Sequence, residues 1–240
     1  MRRWLLPLFA GLGFLIAAVP ASAQERAYSF SVVHSVYGPI GTFTESIARS
    51  GGTTRVESRI RIAVKVLGIV VHRQEGDRTE IFHGDRLVSL QSSTTTNGSR
   101  LDVHGQEQGD HFVVTSAAGV TEAPANVAPS DPWVLKDLGN GTLVSVETGR
   151  IIPTRVTGGE PVTLSIQGSP IVTRHFIARG EGPQEMQQEI WLNDHDVPVM
   201  FRIIENGKSI DFTLTSPLHD AEIAEAHLVP AAELKSDGAD

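Results

Sequence analysis

The stretch Thr53-Thr54-Arg55-Val56-Glu57-Ser58-Arg59-Ile60-Arg61-Ile62-Ala63-Val64-Lys65-Val66 decides the fold class. Val56, Ile60, Ile62, Val64 and Val66 share one parity, opposite Arg55, Glu57, Arg59, Arg61 and Lys65. A period of two sends successive side chains to opposite faces of a sheet, so this is a long, half-buried strand with one wet side.

The same period extends upstream. Tyr28, Phe30, Val32, His34 and Val36 fall on one face, Ser29, Ser31 and Ser35 on the other, and Tyr37-Gly38-Pro39 turns the chain into a returning strand at 40–49. Gly51-Gly52 makes the next reversal. Downstream, alternation is lost at Leu67-Gly68-Ile69-Val70-Val71, where a glycine inside an apolar run reads as a bulge or sharp bend. Strands are then expected at 79–83, 86–95, 100–106 and 111–115, separated by Gly84-Asp85, Asn97-Gly98 and Gly109-Asp110. Those separators carry turn chemistry.

Between 117 and 140 the pattern stops. Within that segment Ser130-Asp131-Pro132 followed by Trp133 and Gly139 has the cap, early proline and terminator of a short helix, with Trp133 as its anchor. A helix of that size plugs one end of a sheet or barrel. Strands resume at 143–146, 161–166, 171–178, 186–192, 197–204 and 209–215, and Asn206-Gly207 is the clearest hairpin signal in the chain. No segment is long enough for a βαβ crossover helix, so the expected architecture is all-β and mainly antiparallel. About a dozen strands exceed what an open twisted sheet carries flat, which predicts one strongly curved sheet or incomplete barrel with a short plugging helix. A transmembrane barrel is disfavoured by an aromatic content of 6% without visible girdles and by a charged C-terminus.

Arg2-Arg3, an apolar run over the 15 residues 5–19 and Ala21-Ser22-Ala23 have the three parts of a secretory signal peptide, with cleavage expected between Ala23 and Gln24. The run falls short of the roughly 20 residues that span a bilayer, so no transmembrane segment is expected after cleavage. Residues 24–217 then form the β domain, and 218–240 an acidic, partly disordered tail. The expected location is periplasmic or secreted. The full chain of 240 residues has 20 basic and 28 acidic side chains, and loss of the two arginines takes its net charge from −8 to −10. Nucleic acid and anionic lipid headgroups are poor partners for such a field.

Much chemistry is missing. There is no cysteine, and zinc-hydrolase, nucleotide-loop and serine-elbow motifs are absent. The nine histidines are scattered, with no pair at ligand spacing. Asn193-Asp194-His195-Asp196 is the densest polar group and reads as a hairpin turn rather than a metal site. Gly180-Glu181-Gly182-Pro183 is another turn, since proline removes a phosphate-binding N–H. His34, on the apolar face of the first strand, reads as a hydrogen-bonded core residue. No catalytic, cofactor-binding or metal-binding residue is assigned.

Gly38-Pro39-Ile40-Gly41, Val66-Leu67-Gly68-Ile69-Val70 and Thr79-Glu80-Ile81-Phe82-His83-Gly84-Asp85-Arg86-Leu87 together resemble a family of secreted bacterial proteins defined as a domain of unknown function. The likeness continues through Thr95-Thr96-Asn97-Gly98, Trp133, Thr148-Gly149, Ile190-Trp191-Leu192 and the closing strands, covering residues 28–215. It departs at Phe82, where the pattern has tryptophan, and at Leu192-Asn193, where it has tyrosine and aspartate. The resemblance implies a periplasmic β-rich domain similar in build to curved half-barrels that carry lipoproteins or other lipids, and it transfers no catalytic residue.

The leading expectation is a non-enzymatic protein binding a lipid or other hydrophobic molecule in a groove lined by Tyr28, Phe30, His34, Ile60, Ile62, Val64, Trp133, Trp191 and Phe201. The alternative is an envelope structural or interaction module with a filled core and a protein partner. An enzyme of unrecognised type stands third.

Overall fold

A computed structural model describes residues 24–181 and 186–217. The expected signal peptide, the tail at 218–240 and residues 182–185 of the glycine turn lie outside the described residues. The alternation at 53–66 forms β3 (Thr53–Val66), within a meander of β1 (Gln24–His34), β2 (Gly38–Ser50), β4 (Ile69–His83), β5 (Arg86–Thr96), β6 (Ser99–Gln108), β7 (His111–Ser116) and β8 (Gly119–Pro124). The two-residue β9 (Ala128–Pro129) and the helix α1 (Leu135–Leu138) follow. A second meander comprises β10 (Asn140–Val144), β11 (Ile151–Ile166), β12 (Ser169–Gly180), β13 (Gln187–Leu192), β14 (Pro198–Glu205) and β15 (Lys208–Leu214).

The first described strand, β1, lies in the middle of the sheet. Strands β1 to β8 step outward to one edge, β9 starts the other edge, and β10 to β15 step back until β15 pairs with β1. Among the described residues all pairings are antiparallel except that of β9 with β10. Three residues, Ala125 to Val127, separate β8 from β9, so the two edges of a 15-stranded sheet are held within about 15 Å by four peptide units. The sheet therefore has to curl. Where it meets itself β8 approaches β10, and Gly149 after β10 lies against Val114 and Ser116 of β7 with no room for a side chain. The result is an incomplete barrel, whose edges meet by packing with no strand ladder between them among the described residues.

One end is filled. Beyond the pairing of Arg174 with Leu192, the β11–β12 hairpin leaves β13, kinked by a bulge at Gly158-Gly159, where both φ angles are positive. Its tip reaches β15: Gln167 Nε2 donates to the carbonyls of Leu214 and Ser216 at 3.2 and 2.8 Å. Residues 130–139 run back through the interior towards the same end. There Leu135 is buried, Trp133 packs on Tyr28 at 4.7 Å between ring centroids, and Lys136 pairs with Asp196. This is the plugging segment the sequence predicts, reduced to one helical turn.

Three local expectations are corrected. Leu67-Gly68 is a two-residue hairpin turn with φ of 51° and 82°, not a bulge, and the apolar residues after it begin a 15-residue β4 instead of waiting for a strand at 79–83. Residues 117–140 hold β8 and β9, which brings the strand count among the described residues to 15. Val36 lies in the exposed β1–β2 turn, because a bulge at Val32/Val33 ends the alternation of β1.

Candidate functional site

Inside the barrel, cross-strand pairing aligns rows of inward side chains. One row is Phe30, Phe43 and Ile60 on β1, β2 and β3; Phe43 packs on Phe201 and Phe212, 5.7 and 5.9 Å between centroids, and those two rings stack at 4.2 Å. The neighbouring row is Tyr28, Glu45, Ser58, Arg78 and Ser92, crossing β1 to β5. This second row is polar and buried.

Arg78 is its centre. Its guanidinium contacts Glu45 Oε2 at 3.3 Å, Glu80 Oε1 at 2.9 Å and Asp131 from the plugging segment, and it donates to Ser58 Oγ at 2.9 Å. Ser58 Oγ donates in turn to Glu45 at 2.7 Å, and Asp131 Oδ1 accepts from the Trp133 N–H at 3.0 Å. Glu45 and Glu80 are 2% and 1% exposed. Burial penalises a carboxylate, and three acids share one cation. Burial pushes the Glu80 carboxyl up to about 8, with Arg78 opposing and Asp131 reinforcing. Burial and the Asp131 charge raise Glu45 well above its ordinary value against the pull of Arg78 and Ser58. Burial also works against Arg78, but Glu80, Asp131 and Glu45 outweigh it and raise its pKa, so it stays charged. Among the described residues Glu45 Oε1 and both Glu80 oxygens have no hydrogen-bond partner.

Above this polar floor is a cavity of about 240 Å³. Ser58, Arg78, Ser130 and Pro132 form its base, and Phe43, Ile60, Ile62, Phe201, Ile203 and Phe212 its apolar walls. Gln74, Glu147 and Glu205 stand at its other end, among the turns where β1–β2, β3–β4 and β14–β15 reverse. Gln74 Nε2 donates to Glu147 Oε1 at 3.2 Å, joining β4 to the turn after β10. A shallower concavity of about 620 Å³ on the outside of β1–β6 is lined by self-paired ions such as Arg59 with Asp77 and Arg100 with Asp102, and it is a solvated face.

Of the nine groove residues expected from the sequence, Ile60, Ile62 and Phe201 line the cavity. Tyr28, Phe30 and Val64 point inward but are packed into the core, and Trp133 lies in the plug. Two stand elsewhere. Trp191 shares a face with Met200, opposite Phe201, and is sandwiched outside the sheet between the stacked His175 ring at 4.4 Å and the Arg202 guanidinium at 5.7 Å. His34 ends β1 half-buried, not interior; its Nδ1 accepts from the Val36 N–H at 3.0 Å and its ring meets Tyr37. The 193–196 segment is a turn: Asn193 Oδ1 accepts from His195 and Val197, and Asp196 pairs with Arg174 and Lys136. Among the described residues no group of three His, Asp or Glu side chains is placed to hold a metal ion.

Sequence reasoning missed Glu45, Arg78, Glu80 and Asp131. The signal was present in Phe43-Thr44-Glu45-Ser46-Ile47 and in Arg78-Thr79-Glu80-Ile81-Phe82, where charges occupy the parity of buried apolar neighbours.

No curated protein matches this chain. Over 82% of its length it is similar to a crystallised β-barrel-like protein of a domain of unknown function, DUF1849, from Brucella abortus, covering 98% of that chain with a TM-score of 0.59 at 10% identity. That likeness concerns the fold. A family model described as a domain of unknown function, DUF6134, matches residues 30–215, and the chain belongs to that family.

Proposed function

Starting from a member of that family with a barrel-like fold, we propose that the protein is a non-enzymatic, exported binder of a hydrophobic molecule, held in the cavity above Arg78. The observation that carries this reading is the cavity itself, a space of about 240 Å³ walled by Phe43, Ile60, Ile62 and Phe201 and reaching polar groups at both ends. Binding sites of this kind are apolar with a few placed polar groups, and this volume lies below the roughly 300–1,000 Å³ of drug-sized sites, so a small or slender ligand fits. The base suits a neutral or hydrogen-bonding head better than a free fatty-acid carboxylate, because Arg78 is already shared by three acids.

The test is titration of the purified protein with an uncharged fluorescent probe such as N-phenyl-1-naphthylamine, alongside mass spectrometry of an organic extract. Saturable binding that Ile60→Trp abolishes supports the reading, and no binding with an empty extract removes it. N-terminal sequencing of the exported chain should begin at Gln24. The second reading, an envelope interaction module, is favoured by one observation: below Arg78 the interior is filled by the plug and the β11–β12 hairpin.

A further inference from the structure

The β3–β4 hairpin projects beyond the rest of the sheet. β2 last pairs with β3 at Gly41 and Ile62, and β5 last pairs with β4 at Gln74 and Thr96, so residues 63–73 are laddered only to one another. Four residue pairs make an arm of about 13 Å. Its base is clamped by the Asn97 turn: Asn97 Oδ1 accepts from the Arg73 N–H and the Asn97 N–H donates to the Arg73 carbonyl, both at 2.9 Å.

The tip is apolar throughout. Leu67 is 98% exposed, Ile69 69% and Val71 54%, with Val66 and Val70 each 41% exposed. Val66 and Ile69 are cross-strand partners on one face, Val70 is partnered with Lys65 on the other, and Leu67 caps the turn. A patch on one face suits a protein groove, whereas a thin ribbon apolar on both faces is fully covered only by a medium that surrounds it. The charge pattern points the same way. Within the arm, residues 63–73, the charged side chains are Lys65 and Arg73, with no Asp or Glu, in a molecule whose net charge is −8. Below it Arg73 lies 4.0 Å from Glu75 and Arg59 is paired with Asp77, which among the described residues leaves Lys65 and Arg61 as the cations here without an ion pair of their own. The overall charge opposes anionic surfaces; this arm is where the sign reverses. An apolar tip behind a cationic collar is the pattern of interfacial membrane insertion, with lysine and arginine stems lying along the acyl region and their heads at phosphate depth.

We propose that the β3–β4 arm docks the protein on a bilayer containing anionic phospholipid, inserting Leu67 and Ile69 with Lys65 and Arg73 at the headgroups. Val36 and Tyr37, exposed in the β1–β2 turn at the same end, provide a second apolar contact. Gln74, Glu147 and Glu205 of the cavity lie at that end as well, so docking sets the cavity's outer rim towards the membrane. The proposal does not depend on the cavity holding a ligand.

The test is flotation of the full chain, exported and purified from the producing cell, with phosphatidylcholine vesicles with and without phosphatidylglycerol. Wild type should float with the anionic vesicles. The double variant Leu67→Asp/Ile69→Asp should bind them at least about tenfold more weakly, since each change replaces inserted apolar surface with charge. Lys65→Glu/Arg73→Glu should lose the preference for phosphatidylglycerol, and Leu67→Trp should shift its emission to the blue on vesicles. These side chains are exposed, and matching circular dichroism melts establish that the variants fold. Absence of flotation, equal flotation of the double aspartate variant, or a dimer in solution that this variant splits without any vesicle binding would overturn the proposal.

Discussion

Phe43 and Glu45 stand two residues apart on β2, point into the same barrel and are both buried, yet they belong to opposite kinds of core. Phe43 joins Phe30, Phe201 and Phe212, a cluster whose stability comes from removing apolar surface from water and from edge and stacked ring contacts. Glu45 joins Ser58, Arg78, Glu80 and Asp131, where each charge has lost its hydration and depends on its partners. The aromatic cluster tolerates imperfect geometry and loses stability in proportion to what is deleted. The ionic cluster is coupled, so removing one member strands the others.

The largest effect should therefore come from Arg78→Met. It leaves three carboxyls in the interior without their cation, and a loss of about 4–5 kcal/mol is expected by urea unfolding near neutral pH. A loss below about 1 kcal/mol would mean that water already solvates the cluster. Next comes Phe201→Ala, which removes a ring touching Phe30, Phe43 and Phe212. The expectation is about 3 kcal/mol, nearly independent of pH, and enlargement of the adjoining cavity. If Phe201→Ala cost as much as Arg78→Met and showed the same pH dependence, the distinction between the two cores would fail.

The pH response separates them more sharply. Folded, Glu80 keeps its proton up to about pH 8, while in the unfolded chain it releases it near 4.5. Between those values the native state binds more protons than the unfolded one, so stability is highest at the acid side of this window and falls as pH rises through it. The raised Glu45 carboxyl acts in the same direction. Wild type should lose on the order of 2 kcal/mol between pH 5 and pH 8, read from urea midpoints at constant ionic strength. Glu80→Gln, which stays neutral, should flatten that slope and exceed wild type in stability at pH 9. A wild-type stability that rises over this window would show that Glu80 is ionised in the folded protein.

The same contrast explains what could be read from sequence. Ile60, Ile62 and Phe201 were legible as cavity wall because apolar alternation is a local signal, and Asn97-Gly98 and Asn206-Gly207 were legible because turn chemistry is local too. The barrel's curvature was legible only as a consequence of strand number. Glu45, Arg78 and Glu80 sit on the parity of buried apolar neighbours, a local signal, but that they form one cluster was not legible, because it depends on partners from other strands and Asp131 reaches Arg78 from a segment 53 residues away. Leu67 misled for a related reason: leucine at positive φ is disfavoured, and it stands before Gly68 where asparagine, aspartate or glycine usually announces a type I′ turn. Trp191 was expected inside because it is large and apolar, although the parity of β13 puts Gln188, Ile190 and Leu192 on one face and Trp191 on the other.

The smallest predicted effect is also the one that tests the cluster's internal wiring. Ser58 donates to Glu45 and accepts from Arg78, so it stabilises the ionised form of Glu45 without carrying charge itself. Ser58→Ala should cost about 1 kcal/mol near pH 8, the ordinary net value of an intramolecular hydrogen bond. As pH is lowered towards 5, the raised Glu45 carboxyl is increasingly protonated, the Ser58 hydroxyl supports less carboxylate, and the cost should shrink. In a double-mutant cycle with Glu45→Gln the pH-dependent part should vanish, because a neutral amide has no charge for the hydroxyl to stabilise. A cost that is the same at both pH values and additive with Glu45→Gln would place Ser58 among the ordinary packing residues of β3, and would separate Glu45 from the rest of the ionic core.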